Sequence, residues 1–307
     1  MSQEKSESVL IVGTGALACL FAFRLSAAGY SVSMLGAWRE GLAALRMYGV
    51  TLVQPDGKQT SYPVQIFDKA EECTKARYAL VLVKSWQTER AASQLKHCLA
   101  SDGLALTLQN GLGNYDILVE KLGPDRAAQG TTTTGATLLS SGRVRPGGEG
   151  LISLGQHPRL KPLQKILNRS GFSVEVRQDV DALIWGKLAV NAAINPLTAL
   201  LQMPNGQVIS RPSARQLSAD LAREVAAVAA ARGIRLPYTD PVAISEDVAA
   251  KTAQNHSSMY QDILRGAPTE IDAICGAVVT EGEAVGVPTP ANYIMWKLIH
   301  ALVEDNK

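Results

Sequence analysis

The chain has 307 residues, long for a single core and suited to two domains. Its composition, 46% hydrophobic and 19% charged, is that of a folded globular protein and excludes a disordered chain. Thirty basic against 28 acidic residues leave a net charge of +2, too balanced for the basic footprint of a nucleic-acid binder.

The polar start MSQEKSE lacks the basic-then-apolar pattern of a secretory signal. The longest apolar run, 188–201, holds two asparagines and a proline and falls short of the roughly 18 residues of a membrane span. Cys19, Cys73, Cys98 and Cys275 are far apart in sequence with no C-x-x-C spacing, so neither a disulfide framework nor a zinc site is expected and a reducing cytoplasm fits. The four histidines form no ligand pair at helical spacing, and no metal is expected.

In chain order, 9–12 reads as a buried strand, 16–28 as a helix ended by Gly29, 31–35 as a second strand and the stretch to Tyr48 as a helix. Segment 49–66 breaks this rhythm, and its Pro55-Asp56-Gly57 predicts a small hairpin. A strand at 78–83, a helix through His97 and a strand at 104–108 follow. Strands apolar throughout and alternating with helices predict a parallel sheet covered on both faces. Residues 126–176 are β-rich and glycine-dotted and read as the far edge of that sheet. Beyond about Gln178 the strand pattern stops, and 181–201, 213–232, 242–254, 270–285 and 291–303 read as helices. The expectation is an α/β chain in two domains, 1–178 and 179–307.

The segment Gly13-Thr14-Gly15-Ala16-Leu17-Ala18 follows the first strand and opens the first helix. The first glycine permits a tight turn, the second lets backbone approach a pyrophosphate, and Ala18 is small enough for helix–strand packing. The alternative, a plain glycine turn, leaves the strand before it and the helix after it as coincidence. The second strand ends Gly36-Ala37-Trp38-Arg39, without the acid that would bond ribose hydroxyls in an NAD site. Arg39 suits a 2′-phosphate, which favours NADP; equally, it is an ordinary exposed arginine at a helix start. Lys84 and Asn110 stand at two further strand ends. Lys84 reads as a phosphate or ribose contact or as a surface lysine. Asn110 reads as a ribose or substrate contact or as a turn former.

Lys187, Asn191 and Asn195 lie at i, i+4 and i+8, on one face of a helix whose other residues are nearly all apolar. A buried ammonium escapes its desolvation cost by a lowered pKa, and such a lysine delivers a proton near neutrality. The alternative is a lysine snorkelling to the surface with asparagines tied to backbone. Downstream, Thr269 resembles an N-cap with Glu270 in the first helical turn, where the helix dipole favours its ionised form. Glu270 then reads as an acceptor or orienter rather than a proton donor; the alternative is simple helix capping.

The stretch Lys187-Leu-Ala-Val-Asn191-Ala-Ala-Ile-Asn195-Pro-Leu-Thr-Ala-Leu, then Pro204-Asn205-Gly206, Ser257-Ser258-Met-Tyr-Gln-Asp262 and Thr269-Glu270-Ile-Asp272, closely resembles the ketopantoate reductase (2-dehydropantoate 2-reductase) family. The resemblance implies an N-terminal Rossmann-type doubly wound sheet and an all-helical C-terminal domain of the 6-phosphogluconate dehydrogenase C-terminal-like kind. It implies NADPH-dependent reduction of 2-dehydropantoate to pantoate, a step toward pantothenate and coenzyme A. By the same resemblance Lys187 is the general acid. Asn110 contacts cofactor and substrate, Asn191, Asn195, Asn205 and Ser258 hold substrate, Glu270 contacts cofactor or substrate, and the backbone of Ala136 approaches NADP. Trp38 stands where the family often has an arginine, with Arg39 beside it. Relatives reduce other 2-oxo acids on this scaffold, and a non-catalytic NADPH sensor is the alternative of a different class. The partner expected is a small 2-oxo acid, with no nucleic acid and no membrane; the apolar helical half is compatible with a homodimer.

Overall fold

The computed structural model describes residues 8–304. The polar start MSQEKSE lies outside the described residues. The described chain divides into two compact units: the residues up to Gln109 together with Asn114–Val180, and Asn110–Gly113 together with the chain from Asp181 onward.

The first unit opens with β1 (Ser8–Val12), α1 (Ala16–Ala27), β2 (Ser31–Leu35) and α2 (Arg39–Tyr48). The hairpin expected within 49–66 is there as β3 (Val50–Val53) and β4 (Gln59–Tyr62), paired antiparallel, followed by the short strand β5 (Gln65–Phe67). Then come β6 (Ala76–Val81), α3 (Thr88–Cys98), β7 (Leu99–Thr107), α4 (Asn114–Leu122), β8 (Ala127–Thr132), β9 (Ala136–Ser140), β10 (Arg143–Pro146), β11 (Leu151–Gly155), α5 (Leu160–Arg169) and β12 (Ser173–Arg177). The main sheet has eight strands in the order β12-β11-β8-β7-β6-β1-β2-β5. From β8 to β5 every neighbouring pair is parallel, and β11 joins antiparallel to β8. The chain runs from β1 outward through β2 on one side and returns to β6 on the other. The order therefore reverses beside β1, which is where ligands bind in such sheets.

One expectation fails here. Segment 126–176 does not lie wholly on the edge of the main sheet. Strands β9 and β10 leave it and join the hairpin in a separate sheet of order β4-β3-β10-β9, and α5 interrupts the β-rich stretch. The reason lies in α1, which is buried around its girth over its middle turns: Ala18, Cys19, Leu20, Phe21, Ala22 and Leu25 are all fully buried. A helix of that kind needs cover on the side away from its own sheet. The small sheet supplies it, and Val50 and Val144 share one core with α1 and β1. All four cysteines are buried free thiols, and Cys73 and Cys98, distant in sequence, hydrogen-bond to each other.

The second unit is helical: α6 (Val180–Leu201), α7 (Gly206–Ser210), α8 (Pro212–Ala231), α9 (Pro241–Lys251), α10 (Ser258–Leu264), α11 (Ala277–Val285) and α12 (Pro290–Glu304). The short helices α7 and α10 are too brief to show a 3.6-residue period, and periodicity did not signal them. The segment expected to be one helix over 270–285 starts instead as a π-helical turn, Asp272–Gly276, before α11. No helix among the described residues is long and apolar enough to cross a membrane.

Two devices set the positions of the helices. Gly186 lets α6 approach Pro237, whose ring would lie 2.9 Å from an added Cβ, and the Tyr238 hydroxyl donates to Gly186 O at 2.7 Å. The Glu224 carboxylate of α8 caps α12, accepting from the backbone N–H groups of Ala291 (2.8 Å) and Asn292 (2.9 Å).

Candidate active site

In the first unit the predicted cofactor residues gather at the carboxyl ends of neighbouring parallel strands. Gly13 follows β1, Gly36 to Arg39 follow β2, and Lys84 follows β6. Gly13 has φ +132° and its N–H donates to Leu35 O at 2.8 Å; an added Cβ would lie 2.9 Å from Leu82 O, so only glycine fits this turn. Gly15 is different. Nothing of the protein lies within 4 Å of where its Cβ would stand, so the chain's own packing does not require glycine there. The space beside the start of α1 is therefore open. Gly15 is the N-cap without a side-chain cap, no acid stands in the first turn, and the first helical bond is Cys19 N–H to Gly15 O. The N–H groups of Ala16, Leu17 and Ala18 therefore point out of an uncapped N-terminus, a natural anion cradle. These residues fit the pyrophosphate of a dinucleotide.

The remaining residues of this unit are placed as follows. Thr14 is buried, and its methyl group would lie 2.7 Å from a Cβ on Gly36, which keeps the β1 and β2 loops in close contact. Arg39 is the exposed first residue of α2. Trp38 lays its ring on Gly41 of its own helix. Ala136 opens β9 beside Gly135, whose carbonyl accepts from Gly147 N–H at 2.8 Å, so backbone lies on backbone there. A feature missed from sequence is a polar chain under the strand ends. Gln109 donates from Nε2 to Val83 O (2.9 Å) and to the buried Thr88 hydroxyl (2.8 Å), which in turn donates to Asn114 Oδ1 (2.7 Å). This ties the end of β7 to the loop that carries Lys84.

In the second unit α6 carries Lys187, Asn191 and Asn195 on one face; Asn195 is buried and the other two are half-buried. Part of the Lys187 side chain reaches solvent. Protein nevertheless surrounds its ammonium so closely that burial pushes its pKa down to about 8, with the Glu270 carboxylate acting against the fall. Glu270 is itself buried. It stands two residues before the π turn, whose N-cap is Ile271, and its carbonyl accepts from Ile274 N–H; it therefore lies just ahead of the helix and not, as expected, in its first turn. Thr269 still behaves as expected of a capping side chain, taking a long contact from Ile271 N–H at 3.4 Å.

Asn110 comes to Glu270 from far away in sequence, its Nδ2 donating to Glu270 Oε2 at 3.4 Å. The approach depends on Gly111, whose φ is +81° and whose added Cβ would lie 2.3 Å from Ala273 O. The next residue, Leu112, donates its N–H to that same carbonyl at 2.9 Å. Asn110, Lys187 and Glu270, which only the family resemblance had placed in one site, thus form one cluster.

The polar stripe on α6 extends beyond Asn195. Thr198, eleven residues after Lys187, falls on the same face and is fully buried. Its hydroxyl hydrogen-bonds Ser257 Oγ at 2.7 Å, and Ser257 Oγ accepts from Tyr260 N–H as the cap of α10. This fixes the exposed Ser258 at the first position of α10. Sequence spacing could have found Thr198. Asn205 is held otherwise: Nδ2 donates to Thr252 Oγ1 at 2.9 Å and its N–H to Asn255 O, beside Gly206, whose Cβ would overlap Ala253. These bonds tie it to the loop after α9.

Chemically, the second unit offers a cation able to give up a proton near neutrality, a carboxylate beside it, and amides and a hydroxyl for holding a polar substrate. The model of ketopantoate reductase PanE/ApbA matches residues 9–159, and that of its C terminus matches residues 179–303. A 2-dehydropantoate 2-reductase from Pyrobaculum aerophilum is 35% identical over 95% of this chain and 96% of its own. The solved PanE/ApbA family ketopantoate reductase from Ralstonia eutropha JMP134 is 29% identical, with a TM-score of 0.90 over 97% of this chain and 99% of its own. A D-mandelate dehydrogenase solved with NADH and anilino(oxo)acetate is 26% identical, with a TM-score of 0.91 over the same shares of the two chains. On these matches, which run nearly the whole length of the sequence, the chain belongs to the ketopantoate reductase PanE/ApbA family of oxidoreductases.

Proposed function

We propose that this protein reduces 2-dehydropantoate to pantoate with NADPH and that Lys187 is the general acid. The observation that carries the proposal is the cluster of Lys187, Glu270 and Asn110. Reduced nicotinamide, when bound, supplies a hydride to the carbonyl carbon of the substrate. Negative charge then grows on the carbonyl oxygen, and Lys187 stabilises it as a cation and transfers a proton to it. With a pKa of about 8, Lys187 is mostly protonated at neutral pH yet gives up its proton more readily than an ordinary lysine. Glu270 keeps that pKa from falling further, so that the acid form persists. Asn191, Asn195 and Ser258 hold the substrate's polar groups without titrating, with Asn205 a further contact, and Asn110 positions both Glu270 and the bound pair. In the first unit, Gly13 to Ala18 take the pyrophosphate, Ala136 backbone and Lys84 line the cofactor, and Arg39 takes the 2′-phosphate.

The test is an NADPH-oxidation assay with ketopantoate against a panel of 2-oxo acids, where ketopantoate should give the highest kcat/KM. Lys187→Ala should lose about 100-fold or more in kcat; near-wild-type turnover would remove Lys187 from the role. Arg39→Ala should raise KM for NADPH at least tenfold, as a lost charge-assisted contact implies, and leave KM for NADH nearly unchanged. A second reading rests on the NADH-bound D-mandelate dehydrogenase likeness and on Glu40, a carboxylate next to Arg39: reduction of a different 2-oxo acid with NADH. A better kcat/KM with NADH and an aryl 2-oxo acid would establish it.

A further inference from the structure

The π turn next to the cluster is held from two sides, by the Asn110 loop and by α12. A π turn has poorer hydrogen-bond geometry than an α-helix and persists where outside contacts hold it. Here Gly276 N–H reaches back to Ile271 O, and Ala277 N–H goes to Ile274 O, while Ala273 O takes the Leu112 N–H of the Asn110 loop. The residue before Ala273 is Asp272. Its Oδ1 accepts from Trp296 Nε1 at 2.7 Å and from His300 Nε2 at 2.8 Å, both on α12. The Trp296 indole also lies against Gly276 at the end of the turn, where an added Cβ would stand 3.0 Å from the ring. The Lys297 ammonium covers the indole at 3.9 Å from the ring centroid. Neighbouring residues of the turn are therefore gripped by different partners: Asp272 through its side chain by α12, Ala273 through its carbonyl by the loop.

We propose that Asp272, with Trp296 and His300, is a positioning latch that sets Glu270 and the Asn110 loop against Lys187. None of the three touches the reacting atoms. Glu270 stands two residues before Asp272 and is bonded to the turn through its carbonyl, which accepts from Ile274 N–H; a turn released from α12 would relax toward ordinary helix, rotating Glu270 and moving the Ala273 carbonyl that anchors Leu112. The carboxylate is largely exposed, so its contribution is direction rather than strength. The proposal rests on the general-acid role of Lys187 only for its effect on turnover; the effect on the ionisation of Lys187 does not need it.

The experiment uses the full chain with 13C-labelled lysine, the Lys187 signal being identified by its loss in Lys187→Arg. Asp272→Ala, Asp272→Asn and Trp296→Phe are compared with the parent for the NMR titration of Lys187, for kcat and KM, and for Tm. In Asp272→Ala the Lys187 midpoint should fall by half a pH unit or more as Glu270 moves away. Its kcat with ketopantoate should drop about tenfold, with KM for NADPH within twofold. Asp272→Asn keeps an oxygen acceptor for Trp296 Nε1 and should restore the midpoint to within about 0.2 pH unit and kcat to within threefold of the parent. Trp296→Phe keeps the ring on Gly276, removes one bond and should fall between. An unmoved Lys187 titration in folded Asp272→Ala overturns the latch. So does an Asn variant as impaired as Ala. If Asp272→Ala does not fold, an unmoved titration in Trp296→Phe overturns it instead. Should the parent fail to reduce ketopantoate, the functional proposal falls while the titrations still decide the latch.

Discussion

At the residue scale, a lysine titrating near 8 has consequences for both rate and stability. The acid form of Lys187 is needed for reduction, so kcat/KM should be level below pH 8 and fall about tenfold per unit above it. Glu270 raises that pKa, so Glu270→Gln should move the break to lower pH; pH–rate profiles of the two proteins check this. The stability effect has the opposite use. Because the folded pKa lies below the ordinary value of 10.5, the cost of holding this charge is fully present below pH 8 and is relieved as pH rises from 8 to 10.5. Lys187→Met should therefore be inactive yet more stable than the parent at pH 7, by on the order of 2 kcal/mol, with the gap closing toward pH 10.5. Denaturant titrations at the two pH values measure it. Lys187, Asn191 and Asn195 were legible in the sequence because their spacing is a helical repeat within one element. Glu270 and Asn110 were legible only through family resemblance, since no local pattern brings residues 110, 187 and 270 together.

At the scale of elements, the start of α1 separates a ligand requirement from a folding requirement. A side chain at Gly15 meets nothing of the protein, whereas one at Gly13 meets Leu82 O. Gly15→Val should fold with Tm nearly unchanged and bind NADPH at least tenfold more weakly, because the valine covers the N–H groups of the helix start. A thermal melt alongside a fluorescence titration with NADPH distinguishes the two effects. An equal loss of Tm and of binding would mean that Gly15 is structural. The run of α1 from Ala18 to Ala22 is apolar at five consecutive positions, and a helix buried around its girth demands a second covering layer, which strands β9 and β10 supply with the hairpin. The π turn carried no such signal, because its sequence is indistinguishable from that of an ordinary helix.

At the scale of the molecule, four residues matter out of proportion to their number. Asn110–Gly113 follow β7 in the chain but belong to the helical unit. Gly111 permits this by adopting φ +81° under Ala273. Gly111→Ala should lower the Tm and turnover together, since the left-handed backbone alone costs an L-residue about 1–2 kcal/mol and the methyl overlaps a carbonyl as well. A melt at parental Tm with full activity would show that the loop need not dock there. The sequence by itself determined the alternating parallel sheet, the glycine-loop helix start, the switch to helices after Gln178 and the polar face of α6. All of these follow from periodicity and turn chemistry within short windows. Only the tertiary structure decided that β9 and β10 form a second sheet over α1, that 272–276 is a π turn held by α12, and that Asn110, Lys187 and Glu270 are one cluster. Those features depend on which surfaces remain to be covered and which carbonyls remain to be bonded once the elements have packed, and no short window of sequence contains both partners.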